Sequence, residues 1–238
     1  MTISVLAIDE KTGRIGGAAA TGSLCVGGWV LRGHADSGMS ASQGTAPSTL
    51  WGEDVLARMS AGAAAAVDAV TSPDTGRAHR QLAALDPQGG TAAFTGAESV
   101  VYAGSAEAPG VVVAGNMLTG PEVITAALAA CQQADGPLPE RLLAALDAAA
   151  AAGGDARGLA SAALLVVGRD IAPLSLRIDH SMQPLAALAD LYRLSQSDPY
   201  HGWTEVVPVL DDPYRAPSPA DVPDMPQPMV KAAPGAGR

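Results

Sequence analysis

The stretch Thr2-Ile3-Ser4-Val5-Leu6-Ala7-Ile8-Asp9-Glu10-Lys11-Thr12-Gly13-Arg14-Ile15-Gly16-Gly17-Ala18-Ala19-Ala20-Thr21 decides the fold. Two apolar runs, Ile3–Ile8 and Ile15–Thr21, flank a short polar link with glycine late in the turn, the pattern of an antiparallel hairpin. Further short runs bounded by Gly, Pro or Asp predict strands at Gly38–Ser42, Gln81–Leu85, Thr91–Phe94, Val100–Ala103, Val111–Ala114, Ala162–Val167 and Leu174–Ile178. Apolar residues at helical spacing predict helices over Glu53–Val70, Pro121–Ala134, Leu138–Ala152 and Pro184–Leu194, two of them entered by proline. Strands come first, then helices, then strands again, which predicts α+β layers with largely antiparallel sheets.

Composition bounds what such a fold can do. With 49 Ala and 27 Gly among 238 residues, against one Phe and two Lys, the core must be built from small side chains. Nine of the 18 prolines fall in residues 198–238. Residues 1–197 are therefore read as one folded domain and 198–238 as a Pro-rich tail that is partly ordered at most. Within that tail Trp203–Val207 reads as an extended strand or clip, and Ala216–Arg238 as mobile. A net charge of −10 speaks against a nucleic-acid partner, whose binding needs clustered cations. No run approaches the roughly 20 apolar residues of a membrane span, and no basic segment precedes the first strand. Cys25 and Cys131 form no CxxC pair. The expectation is a cytoplasmic protein with no membrane partner.

The usual catalytic motifs are missing. His34, His79, His180 and His201 are scattered, so neither a metal nor a cofactor is expected. No dinucleotide, Walker or Gly-x-Ser-x-Gly pattern follows a strand. One position survives on chemistry. Removal of Met1 leaves Thr2 with a hydroxyl and an α-amine on one residue, and an amine with a reference pKa of about 7.7–8.0 can take the hydroxyl proton at neutral pH. Cys25 reads as a small core residue continuing the second strand, with a rival nucleophile as its alternative.

Beyond the opening hairpin, the blocks Ser40-Ala41-Ser42-Gln43, Arg77–Leu82, Ala92–Glu98, Gly115-Asn116-Met117-Leu118 and Gly153–Gly158 occur in the order found in the DUF1028 family. The chain resembles that family from residue 2 to about 195. DUF1028 proteins are uncharacterised bacterial proteins assigned to the N-terminal nucleophile (Ntn) hydrolase-like superfamily. The resemblance implies a four-layer αββα sandwich of two antiparallel sheets, with Thr2 at the start of a central strand. It also implies a hydrolase of carbon–nitrogen bonds, in which the N-terminal side chain attacks an amide carbonyl and the α-amine shuttles the proton.

Carried over by position, Thr2, Asn116 and Thr21 become the catalytic candidates. Asn116, read as lying in a turn after Val111–Ala114, is either an oxyanion donor or an Asx-turn residue. Gln43, Arg80, Gln81, Asp155 and Arg157 become the substrate-binding candidates, Arg80 being suited to a carboxylate or polar head. Their alternatives are a surface salt bridge for Arg80, read as more fitting for Arg77, and an internal ion pair for Asp155 and Arg157. Two functions follow: an amidohydrolase acting on a small, amino-acid-derived amide, or a catalytically silent relative that binds a small molecule or a protein. A homodimer is expected in either case.

Overall fold

The computed structural model describes residues 2–99, 102–154 and 158–218. Its strands are β1 (Thr2–Asp9), β2 (Arg14–Thr21), β3 (Leu31–His34), β4 (Gly38–Gly44), β5 (Arg80–Leu85), β6 (Thr91–Thr95), β7 (Tyr102–Ala108), β8 (Val111–Leu118), β9 (Ser161–Val167) and β10 (Leu174–Ile178). Its helices are α1 (Val26–Trp29), α2 (Thr49–Arg58), α3 (Ala63–Thr71), α4 (Glu122–Gln133), α5 (Leu138–Ala151), α6 (Pro184–Ser195) and α7 (Tyr200–Val206).

The expected hairpin is β1 and β2, in register from Thr2 opposite Thr21 to Asp9 opposite Arg14. Its turn is an Asx-type turn: the Asp9 carboxylate accepts from the Lys11 N–H at 3.2 Å and the Thr12 hydroxyl at 2.7 Å, and Gly13 supplies a φ of 70°. Six strands then assemble in the order β10-β9-β2-β1-β8-β7, and four more as β3-β4-β5-β6. Every ladder is antiparallel.

Alternation across the strands separates three cores. Ile3, Val5 and Ala7 of β1 pack with Val123, Leu142 and Leu188 of α4, α5 and α6. Leu6 and Ile8, one residue out of phase, meet Met39, Ala41, Ala83 and Leu85 of the other sheet. The outer face of that second sheet, Leu82 and Ala84, is covered by Trp51, Val55 and Val67 of α2 and α3. Two antiparallel sheets therefore face each other with helices outside, an α+β sandwich.

The small-residue composition has a visible use in β2. A Cβ on Gly16 would lie 2.7 Å from Leu142 Cδ1, and one on Gly17 would lie 2.8 Å from Leu6 Cδ2. The ends of the Leu142 and Leu6 side chains, on opposite faces of the strand, take the space that a methyl group would occupy.

Several local expectations are corrected. The helix expected over Glu53–Val70 is two helices, because Gly62 at φ 87° breaks it and the Asp86 carboxylate caps the Ala63 N–H at 3.1 Å. The first of them begins earlier, at Thr49, where the Ser48 hydroxyl accepts from the Trp51 N–H. Cys25 does not continue β2, which ends at Thr21; it sits at φ 60° and opens α1. Asn116 is not in a turn but inside β8, which runs on to Leu118. Trp203–Val206 belongs to helix α7 rather than an extended clip. The segment after it returns to the body, where the Asp211 N–H bonds Arg169 O at 2.9 Å and Arg169 pairs with both Asp36 and Asp211. Val100 and Val101 of one expected strand, and residues 219–238 of the tail expected to be mobile, lie outside the described residues. Among the described residues no helix is long and apolar enough to cross a membrane.

Candidate functional site

The space between the sheets changes character at one end. Its apolar positions are Leu6 and Ile8 on β1, Ile15 and Ala19 on β2, Met39 and Ala41 on β4, Ala83 and Leu85 on β5, and Val112 and Ala114 on β8. Continuing each strand by twos toward a single end gives Thr2, Thr21, Gln43, Gln81 and Asn116 in place of aliphatic side chains. Strand register brings them together: Thr2 is the Cα partner of both Thr21 and Asn116, and Gln43 that of Gln81. Four of the five are almost shut from solvent, with relative exposures of 4% for Thr21, 1% for Gln43, 0% for Gln81 and 1% for Asn116. Burying this many polar groups is costly unless they pair.

They pair as a directed chain. Gln81 Nε2 donates to Gly115 O and Gly104 O, both at 3.0 Å, and to Thr95 Oγ1 at 2.9 Å. Those two carbonyls fix which way its carboxamide points, so Gln81 Oε1 is the acceptor end. It receives Gln43 Nε2 at 2.7 Å and Asn116 Nδ2 at 3.3 Å. Gln43 Nε2 also reaches Ala114 O at 3.2 Å and the carbonyl of Thr2 at 3.5 Å. A reversed Gln43 amide would set its oxygen against three acceptors, so this orientation is enforced. One atom is left over: Gln43 Oε1 is buried and has no hydrogen-bond partner among the described residues. The Thr2 and Thr21 hydroxyl oxygens lie 3.2 Å apart, and Thr21 Oγ1 also accepts from the Ser23 N–H at 3.3 Å.

Thr2, Thr21 and Gln43 line a cleft of about 320 Å³. Its opposite wall is apolar: Leu24, Val26, Trp29, Val30 and Pro47. Leu24 and Trp29 are more than half exposed. Ser161 holds this wall in place, donating its hydroxyl to Ser23 O at 2.8 Å and accepting the Val26 N–H at 3.1 Å. Among the described residues, none that lines the cleft is ionisable. Asn116 stands beside Thr2 in the ladder but is not part of the cleft lining.

Arg80 lies elsewhere. It immediately precedes Gln81 on β5 and so lies on the opposite face, toward α2, where it pairs with Asp74, donates to Ala46 O at 3.1 Å and lies 5.7 Å from the centre of the Trp51 ring. Of the two arginines it is therefore Arg80, not Arg77, that takes up Asp74. Burial works against ionisation of Asp74, but the Gly76 N–H and the Arg80 guanidinium outweigh it and hold the carboxyl below its usual range. Asp155 and Arg157 lie outside the described residues. Among the described residues no three His, Cys, Asp or Glu side chains cluster as metal ligands would.

The cleft wall was not legible in advance. Its signal is Gly27-Gly28-Trp29, a bulky residue beside two glycines in the single turn of helix α1, and nothing in that pattern alone names a binding surface. Among the described residues, two further clefts are of similar size. One, of about 370 Å³, lies at the Asp9 end of β1 near Arg14, Tyr192 and His201; the other, of about 350 Å³, lies between His34 and Val209. Neither is lined by the polar residues that interrupt the inter-sheet core.

Three comparisons bear on this site. A model of a family of unknown function, DUF1028, matches residues 2–188, beginning at the first residue of β1. A search of curated proteins finds no match. Among solved structures, the crystal structure of a DUF1028 protein from Silicibacter pomeroyi is 51% identical, covering 90% of this chain and 95% of that one with a TM-score of 0.87.

Proposed function

The chain belongs to the DUF1028 family, and from that premise we propose that it is an amidohydrolase whose nucleophile is Thr2, freed by removal of Met1. Kinship with the Ntn hydrolase-like superfamily is part of the same proposal, supported by the facing sheets with helices outside. The observation that carries it is the placement of Thr2: first residue of a central strand, side chain in a cleft, with Thr21, Gln43 and Asn116 around it.

In the reaction, Thr2 Oγ1 attacks the carbonyl carbon of the amide and its proton passes to the α-amine. The resulting oxyanion is met by the Asn116 Nδ2 hydrogen that Gln81 does not take, a type of donor worth about 3–4 kcal/mol in a transition state. Collapse breaks the carbon–nitrogen bond, and the α-ammonium returns the proton to the leaving amine. Water then attacks the threonyl ester, gives its proton to the α-amine, and releases the carboxylic acid as Thr2 Oγ1 recovers a proton. Amide and water become acid and amine, with no other reactant.

The substrate is a small amide with an apolar group set against Leu24, Trp29 and Pro47. Recognition of a carboxylate by Arg80 is not part of the proposal, since Arg80 is committed to Asp74 and Trp51 on the far side of its sheet. A homodimer in the cytoplasm completes it, and light scattering of the purified protein would give the dimer mass.

The test is substitution at Thr2. Thr2→Ala abolishes amide turnover with the unfolding temperature unchanged, and Thr2→Ser keeps part of it. A fully active Thr2→Ala protein would sink the proposal. Retention of Met1 would leave the second reading, a silent protein that binds a small ligand.

A further inference from the structure

At the polar end of the sandwich the buried Gln43 Oε1 finds no donor among the described residues. A buried acceptor without a donor is costly, so such an atom asks for an explanation. The amide cannot escape by turning over, because Gln43 Nε2 is fixed by Gln81 Oε1 at 2.7 Å and Ala114 O at 3.2 Å. The missing partner must bring a hydrogen to the oxygen.

The same carboxamide already touches residue 2, through Gln43 Nε2 to Thr2 O at 3.5 Å. While residue 1 is attached, the Thr2 nitrogen is an amide that carries a single hydrogen. Release of residue 1 turns it into an ammonium with three hydrogens, or an amine with two. We propose that Gln43 Oε1 is the acceptor for the freed α-amino group of Thr2, which makes Gln43 the residue that positions the base of the reaction. An oxygen closed to solvent suits a donor from the chain itself better than one arriving with a ligand. Gly115 O and Gly104 O hold Gln81, Gln81 holds Gln43, and Gln43 holds the amine, so the orientation of the base traces back to two backbone carbonyls.

The proposal rests on the amidohydrolase reading for its free amine, but it fixes something that reading does not: how the amine titrates. Hydrogen bonding to the charged form raises an amine's pKa. Gln43→Met removes the acceptor at similar volume, and Gln43→Leu removes it with a branched chain. Among the residues that face Thr2 from β2, β4, β5 and β8, namely Thr21, Gln43, Gln81 and Asn116, none is itself ionisable.

Nitrogen NMR of threonine-labelled protein follows the amine directly, without any substrate. The expected order of α-amine pKa values is Gln43→Met and Gln43→Leu below wild type, by about one pH unit. Where a substrate is turned over, the midpoint of the kcat/KM profile moves in the same order. Thermal unfolding of each variant identifies any that is not folded, and the folded one of the two still fixes the direction. A free amine with the same pKa in wild type and in a folded variant would overturn the role of Gln43 and leave the nucleophile proposal standing. Retention of Met1 in the wild type would overturn both.

Discussion

Thr2 and Thr21 face each other across the first hairpin with their hydroxyl oxygens 3.2 Å apart, Thr21 itself receiving the Ser23 N–H. The last residue of β2 thus sets the rotamer of the first residue of β1, and ties it to the loop that forms the cleft wall. Thr21→Val keeps the shape and removes the hydroxyl. The expected result is a roughly tenfold fall in kcat from loss of the bond to Thr2, about 1–1.5 kcal/mol, and a fall in stability of about 1 kcal/mol as the Ser23 N–H loses its acceptor. Steady-state kinetics beside thermal melts check it.

Trp29 presents an indole that is 53% exposed at the mouth of the cleft. If it contacts the apolar part of the substrate, Trp29→Ala raises KM several-fold for amides bearing a branched aliphatic or aromatic group and leaves kcat alone. Acetamide, which has no such group, should be indifferent to the change. An equal effect on both would assign Trp29 to the fold instead.

The Asp74–Arg80 pair is predicted to stabilise the protein and not to act on substrate. The folded carboxyl of Asp74 lies below its usual range, so its contribution is full above the ordinary aspartate pKa of about 3.9 and is lost as the pH falls through the folded value. Asp74→Asn should cost about 1 kcal/mol near neutrality, and the gap from wild type should close in acid. Urea unfolding at several pH values measures it. Activity per folded molecule should not change.

Gly17→Val tests the packing of the hairpin. A Cβ there falls 2.8 Å from Leu6 Cδ2 and 3.1 Å from Leu31 Cδ2, both in the buried core between the sheets. Overpacking of this kind costs about 1–3 kcal/mol, and because the strain falls on β1 it should also lower activity. Gly13→Ala, in the exposed turn, meets no neighbour and should cost only the strain of its positive φ.

How much of this was legible follows from where the information sits. The β1–β2 hairpin, β10 and α5 could be read closely because periodicity and turn chemistry are local. The Gly62 break was misread because Ala61 and the alanines after it carry a helical pattern through it, and the residue that caps the new helix, Asp86, is 23 positions away. A turn at Asn116 does not form because β8 runs on through Gly115, whose lack of a side chain the strand needs: a Cβ there would lie 2.7 Å from Leu118 Cδ1. Thr2, Thr21, Gln43 and Asn116 could be named from the order of family-like blocks, but not the hydrogen bonds that join them. Arg80 and Gln81 are adjacent in sequence and were read as one binding pair. Strand alternation sends them to opposite faces, which only the register decides.

The claim at the centre is that Thr2 is a free N-terminal nucleophile. Intact mass of the protein, before and after treatment with an electrophilic amide analogue, addresses it most directly. The account predicts a mature chain lacking Met1 and a single adduct that peptide mapping assigns to Thr2 and that Thr2→Ala abolishes. A protein that retains Met1, or an adduct that survives Thr2→Ala and maps to Cys25, would contradict it.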